Sequence, residues 1–150
     1  MDEAEAIERF NKIRGRLIIE LSEPAVLITP KLSNLRAPPT ARIVSLQLEP
    51  SVFDEEQETF RPPRAEELKR IVFRRPRMRL RGVCGFIVEH LAPDGQTFTA
   101  RDVLAAIEET ERRARGTSNW FGGVDIHHIF FEGIHPDDEK GEVWRIVWGS

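Results

Sequence analysis

The spacing of hydrophobic residues near the start of the chain predicts a short amphipathic helix. In residues 2–14, Ile7, Phe10 and Ile13 recur on one side of a helix, and most of the charged residues fall on the other side. Gly15 follows directly and is a common residue at helix ends. We therefore expect a helix over residues 2–14 that ends at Gly15.

A second helix is predicted over residues 100–114. Thr99 and Asp102 have the spacing of a capping box, with Asp in the usual Glu position, and apolar residues such as Leu104 and Ile107 follow at helical spacing. Gly116 supplies a stop. Within this helix, glutamates precede arginines by four residues, the favourable order for exposed ion pairs. The pairs are Glu108 with Arg112, Glu109 with Arg113, and Glu111 with Arg115.

Alternating apolar and polar positions predict the strands. The expected strands cover residues 42–48, 77–80, 83–91, 124–131 and 143–148. The last strand places Trp144, Ile146 and Trp148 on one face. Two apolar runs, 17–21 and 25–28, are too short for more than edge strands. The segment 135–141 joins the last two predicted strands as a hairpin.

These elements define the expected fold class. The chain of 150 residues is the size of one domain, so we expect a single α+β domain over residues 1–150. Its sheet is mostly antiparallel, the helix at 100–114 packs on one face, and the N-terminal helix lies at an edge.

Composition narrows the class of protein. Hydrophobic residues make up 40% and charged residues 31% of the chain, which is typical of a globular protein. No apolar run approaches the ~20 residues of a membrane span. The single cysteine, Cys84, excludes an internal disulfide, and the acidic first residues lack the features of a signal peptide. These features favour a cytoplasmic or nuclear protein that does not enter membranes.

An alternating run of arginines is the strongest indication of function. Arg75, Arg77, Arg79 and Arg81 project from one face if their backbone is extended. Guanidinium groups suit carboxylates and phosphates, so this stripe could bind an acidic protein surface or nucleic acid. Pro76 indicates an edge strand, where arginines also block unwanted strand pairing.

Two further observations bear on the partner of the stripe. The formal net charge of −3 weakens the case for nucleic acid. The acidic segment 54–58 could instead neutralise the arginines within the chain itself. An acidic protein partner is our preferred prediction among those that give the stripe a binding role.

A group of polar residues between 125 and 135 is the alternative candidate site. Asp125 and His127 share one face of the predicted strand, and Glu132 lies nearby, so the group could serve a hydrolase or hold part of a metal site. His128 would point to the opposite face, which argues against a shared histidine site. Structural roles for these residues are the preferred interpretation. Cys84 fits a small buried hydrophobic residue better than a nucleophile.

Several segments together resemble a family of uncharacterised fungal proteins, mostly from basidiomycetes, that is known as a domain of unknown function. The resemblance covers about residues 70–148. It is carried by residues 76–88, by TARDVLAAI at 99–107, by VD at 124–125 with FEGI at 131–134, and by WRI at 144–146. Ala100 replaces the valine that is usual in the family. The resemblance implies a fold but assigns no catalytic residue.

From these features we predict a non-catalytic module for protein interaction or assembly, of the kind that serves as a subunit of a larger complex. We expect it to require no cofactor and no metal, and its predicted binding residues are the four arginines of the stripe. A small hydrolase or metal-dependent enzyme that uses Asp125 and His127 is the first alternative. A nucleic-acid-binding domain that uses the residues from Arg75 to Arg81 is the second.

Overall fold

The computed structural model describes residues 2–22, 42–116 and 126–150. Three α-helices, α1 to α3 in chain order, span Glu3–Phe10, Ala65–Leu68 and Ala100–Gly116 in these ranges. The strands β1 to β9 span Ile13–Leu21, Ile43–Asp54, Thr59–Arg61, Ile71–Phe73, Arg77–Arg81, Ile87–Leu91, Phe98–Thr99, Phe130–Pro136 and Val143–Gly149.

Seven of the strands form one sheet in the order β3-β2-β1-β8-β9-β5-β6. Its neighbouring strands are antiparallel except β5 and β9, which run parallel. The remaining two strands, β4 and β7, form a separate antiparallel ladder. The predicted α+β class with a mostly antiparallel sheet is confirmed.

The long helix α3 packs on one face of this sheet, as predicted. Its start is a capping box, in which Thr99 N–H donates to Asp102 Oδ2 at 2.9 Å and Asp102 N–H donates to Thr99 Oγ1 at 3.2 Å. Leu104 and Ile107 are both buried in the core, which also contains residues of α1, β4 and β7. The helix and the small ladder therefore cover the same face of the sheet.

The N-terminal region differs from its prediction. Helix α1 ends at Phe10, and the run that follows it becomes β1, an interior strand between β2 and β8. Gly15 lies inside this strand and does not end the helix. An added Cβ at Gly15 would lie 2.8 Å from the carbonyl oxygen of Glu49, so the glycine permits close approach of β2. The expectation of an edge strand at 17–21 was wrong, because β1 has hydrogen-bonded neighbours on both sides. The other predicted run, 25–28, lies outside the described residues.

The predicted ion pairs on α3 form only in part. Glu109 pairs with Arg112 at 2.7 Å and with Arg113 at 3.1 Å, both in exposed positions. Glu108 instead accepts a hydrogen bond from Leu48 N–H at 2.7 Å and so ties the helix to β2.

The third pair, Glu111 with Arg115, forms but is not exposed. Both side chains have no exposed surface, and their closest charged atoms are 3.2 Å apart. Arg115 also donates to the carbonyl oxygens of His127 at 2.8 Å and His128 at 2.6 Å. Glu111 accepts from Val83 N–H at 3.0 Å. This pair therefore fixes the connections that lead into β6 and β8.

Two predicted strands are shorter or displaced. Only Ile87–Leu91 of the predicted strand 83–91 is extended, because Val83–Gly85 forms a 3-10 helix. Within that helix Cys84 has φ 62° and is exposed, so the expectation of a buried cysteine was wrong. The strand predicted over 124–131 begins at Phe130 in the structure, and residues 124 and 125 lie outside the described ranges.

Candidate functional site

The face of the sheet opposite α3 carries most of the predicted arginine stripe. On β5, Met78 and Leu80 are buried against the core, at 3% and 0% exposure. Arg77 and Arg79 alternate with them and are exposed, and Arg81 is partly exposed. Since no helix of the described chain covers this face, three of the four predicted arginines lie on an open surface.

Arg75 does not belong to this surface. It precedes β5 and donates to both carboxylate oxygens of Glu3 on α1, at 2.9 and 2.7 Å. It also donates to the carbonyl oxygen of Gly141 at 2.6 Å. These contacts tie α1 to the turn between β8 and β9, so Arg75 has a structural role on the other side of the sheet.

The prediction that the stripe occupies an edge strand was wrong. β5 lies between β9 and β6 and has hydrogen-bonded partners on both sides. Pro76 is the residue just before the strand, where its missing N–H costs no bond in the ladder, and its carbonyl accepts from Ala92 N–H at 2.8 Å. Blocking an exposed edge therefore does not explain these arginines.

A fourth arginine joins them from the neighbouring strand. Arg145 on β9 is the register partner of Arg81 in the parallel pairing of β5 and β9, and it is exposed. We call Arg77, Arg79, Arg81 and Arg145 the arginine face. Like charges on directly paired residues repel each other and destabilise a sheet. The stability of the sheet therefore does not explain why Arg81 and Arg145 are paired.

Two carboxylates partly neutralise the arginine face. Glu89 on β6 lies 3.5 Å from Arg79 and 3.9 Å from Arg77, and Asp137 pairs with Arg81. Among the described residues, no ion pair joins the acidic segment 54–58 to these arginines, and Asp54 pairs with Arg61 at 3.6 Å. With two carboxylates among four guanidinium groups, the surface keeps an excess of positive charge.

Exposed apolar side chains surround the arginine face. Leu91 and Ile87 on β6 are 69% and 42% exposed, and Phe130 on β8 is 46% exposed. No lysine occurs in any of the nine strands of the described chain. Arginines beside aromatic and aliphatic residues, with few lysines, are the composition of a protein interface.

The alternative site around His127 is not assembled in the described part of the chain. His127 and His128 precede β8 and do not lie on a strand, and Asp125 falls outside the described ranges. His128 has φ 55°, so the predicted alternation of faces does not apply. Glu132 is an exposed residue of β8. Among the described residues, no group of three His, Cys, Asp or Glu side chains could hold a metal ion.

His90 forms a hydrogen bond with α3 that the sequence did not indicate. Its Nε2 lies 2.7 Å from Thr110 Oγ1, and that hydroxyl donates its own proton to the carbonyl oxygen of Ala106 at 2.8 Å. Nε2 must therefore carry a proton that it donates to Thr110. Burial lowers the pKa of His90, because it disfavours the charged imidazolium. This histidine holds β6 to α3.

Arg145 is the residue of the arginine face that sequence reasoning missed. Alternation along the last strand places Arg145 opposite Trp144 and Ile146, which is the correct face. What the sequence does not reveal is that β5 pairs with β9, which brings Arg145 beside Arg81. The two strands are more than sixty residues apart, so no local pattern predicts their pairing.

Comparison with known proteins identified no matching family model, no matching curated protein and no matching solved structure. The resemblance to the fungal family of unknown function thus stays a prediction. In the described ranges, none of the helices is long and apolar enough to cross a membrane.

Proposed function

We propose that this protein is a non-catalytic interaction module that binds an acidic surface of a protein partner through the arginine face, as a subunit of a larger complex. The observation that carries the proposal is the pairing of Arg81 with Arg145 on an open sheet face, beside the edge strand β6. Asp137 offsets part of the repulsion between these two groups, and an acidic partner would offset the rest. The surrounding apolar residues would supply buried contact area.

The charges on this surface favour a protein over nucleic acid. Glu89 and Asp137 sit among the arginines, and carboxylates at those positions repel a phosphate backbone. A protein partner can place its own groups to suit a mixed pattern of charge, with carboxylates over the arginines and donors over the two acids.

The test of this proposal is a pull-down from native cell extract with two matched double variants. The double variant Arg77→Glu with Arg145→Glu reverses the charge at two positions of the arginine face and leaves the Arg79–Glu89 contact in place. Arg101→Glu with Arg113→Glu changes the net charge equally on the exposed surface of α3 and serves as the control. Retained proteins are identified by mass spectrometry, and binding to labelled duplex and single-stranded oligonucleotides is titrated over a range of salt.

We expect the wild type and the control variant to retain the same acidic partner, and the arginine-face variant to lose it. Like-charge repulsion in a complementary interface costs several kcal/mol, which is enough to abolish retention. Binding to oligonucleotides that falls steeply with salt and disappears in the arginine-face variant would replace this proposal with a nucleic-acid function. An identical set of retained proteins in all three samples would refute it.

A further inference from the structure

A second positively charged region lies on the opposite side of the sheet from the arginine face. A pocket of about 740 Å³ opens between α1, β4 and the segment that joins α2 to β4. This volume falls in the range of ligand sites, which span about 300–1,000 Å³. The pocket shares no residue with the arginine face.

The pocket has an apolar interior. Phe10, Ile13 and Val72 line it and are buried, at 2%, 5% and 3% exposure. Ile71 also lines it but keeps 36% of its surface exposed, which is unusual for a large apolar side chain beside a core. The protein itself covers the three buried residues, so the apolar surface that a ligand can reach comes from Ile71 and from the partly exposed Ala6 and Val52.

Basic side chains are the main polar groups of the lining. Five of them make no ion pair within the described residues: Arg9, Lys12, Lys69, Arg70 and Arg74. Positive charge around a concave apolar site concentrates the electrostatic field there and attracts anions.

The acidic residues of the lining already have partners. Glu3 pairs with Arg75 at 2.7 Å, and Asp2 accepts from Glu5 N–H at 2.8 Å as the cap of α1. Glu67 pairs with Arg61 at 2.7 Å, and this hydrogen bond lowers the pKa of Glu67. Six basic residues and three acidic residues line the pocket, so the lining keeps an excess of positive charge.

We propose that this pocket binds a small amphiphilic anion, with a carboxylate or phosphate head at the basic residues and an apolar body against Ala6, Val52 and Ile71. Neither half of the lining alone explains the site. The apolar interior would suit a neutral hydrophobic ligand, and the basic residues would suit a free anion. Their combination in one cavity selects a molecule that carries both.

The experiment measures affinity by calorimetry for four probes below their micelle concentrations: dodecanoate, dodecyl phosphate, dodecanol and inorganic phosphate. Lys12→Gln with Arg74→Gln removes two basic groups of the pocket, and Ala6→Phe fills part of its volume. Arg77→Gln with Arg79→Gln makes the same change of charge on the arginine face and is the matched control. Thermal midpoints of all variants show whether each one folds.

We expect one molecule of dodecanoate or dodecyl phosphate to bind per chain, with an affinity at least about tenfold above those of dodecanol and inorganic phosphate. The pocket charge variant should weaken this binding by about tenfold or more, Ala6→Phe should abolish it, and the control should match the wild type. The two head groups show whether a carboxylate or a phosphate is preferred.

Three results would overturn the proposal. If dodecanol bound as tightly as dodecanoate and dodecyl phosphate, the basic residues would not select the ligand. If inorganic phosphate bound as tightly as they do, the apolar surface would not contribute to selection. Equal weakening by the control variant would indicate nonspecific attraction to basic surfaces. Since the control alters only the arginine face, loss of the partner in the pull-down and loss of the ligand here are independent outcomes.

Discussion

Arg115 and Glu111 form an ion pair that is fully buried, one turn apart on α3, with their charged atoms 3.2 Å apart. The guanidinium of Arg115 also lies over the ring of Trp148, 5.2 Å from its centre. Gly82 passes so close that an added Cβ would collide with the carboxylate of Glu111. Through these contacts and its hydrogen bonds to Val83, His127 and His128, the pair joins the helix to the connections before β6 and β8.

Replacing Arg115 alone should therefore destabilise the protein strongly. Arg115→Met leaves the Glu111 carboxylate buried beside a neutral side chain and removes the donors to the carbonyl groups of His127 and His128. Loss of one partner of a buried pair costs about 3–5 kcal/mol. Urea denaturation measures the change in the free energy of unfolding. A loss below about 1 kcal/mol, as for an exposed pair, would show that the side chain reaches solvent.

Truncation of the apolar surface of α3 tests the core. We expect Leu104→Ala or Ile107→Ala to lower the free energy of unfolding by about 2–5 kcal/mol, since each leaves a cavity beneath the helix. Arg101→Ala on the exposed surface of the same helix is the control and should stay within about 0.5 kcal/mol of the wild type. Similar values for Leu104→Ala and Arg101→Ala would mean that the helix packs by another face.

His90 should make stability depend on pH. Its pKa in the folded protein is lowered from 6.5, first by burial and further by Arg113, while Glu109 opposes the change. The unfolded chain therefore binds more protons just below pH 6.5, and stability should fall as the pH drops from there through the folded pKa.

Denaturation midpoints measured between about pH 8 and 5 test this dependence. His90→Gln keeps a donor toward Thr110 but cannot take up a proton, so its midpoint should vary less over this range. Equal slopes for the two proteins would assign the pH dependence to other groups.

A metal-dependent function for the region around His127 can be tested directly. We expect elemental analysis of untagged protein to find no stoichiometric transition metal, because the described residues hold no cluster of ligands. One tightly bound zinc per chain that is lost in His127→Ala would contradict this expectation and support the enzyme alternative.

Elements with strong local signals were predictable from the sequence. The capping box at Thr99 and Asp102 located the start of α3 correctly. The alternation of Trp144 and Ile146 identified the buried face of β9. These signals depend only on neighbouring residues, which is why reading along the chain was sufficient.

Elements that depend on distant contacts were not predictable. Glycine is a common residue at helix ends, but Gly15 instead allows β2 to approach β1 closely. Only the pairing of β1 with β2 reveals this role. Likewise, Glu111 and Arg115 have the same spacing as the exposed pair of Glu109 with Arg113. Whether such a pair is buried depends on what the rest of the chain places over it.

Mapping the binding surface of an acidic peptide by NMR tests the central claim most directly. Amide and arginine side-chain resonances are followed while an aspartate- and glutamate-rich peptide is added, with a neutral peptide of the same length as the control. We expect the largest shifts at Arg77, Arg79, Arg81 and Arg145 and along β5 and β9, and their loss in Arg77→Glu with Arg145→Glu. Shifts confined to the basic pocket beside α1, or no shifts at all, would contradict a binding role for the arginine face.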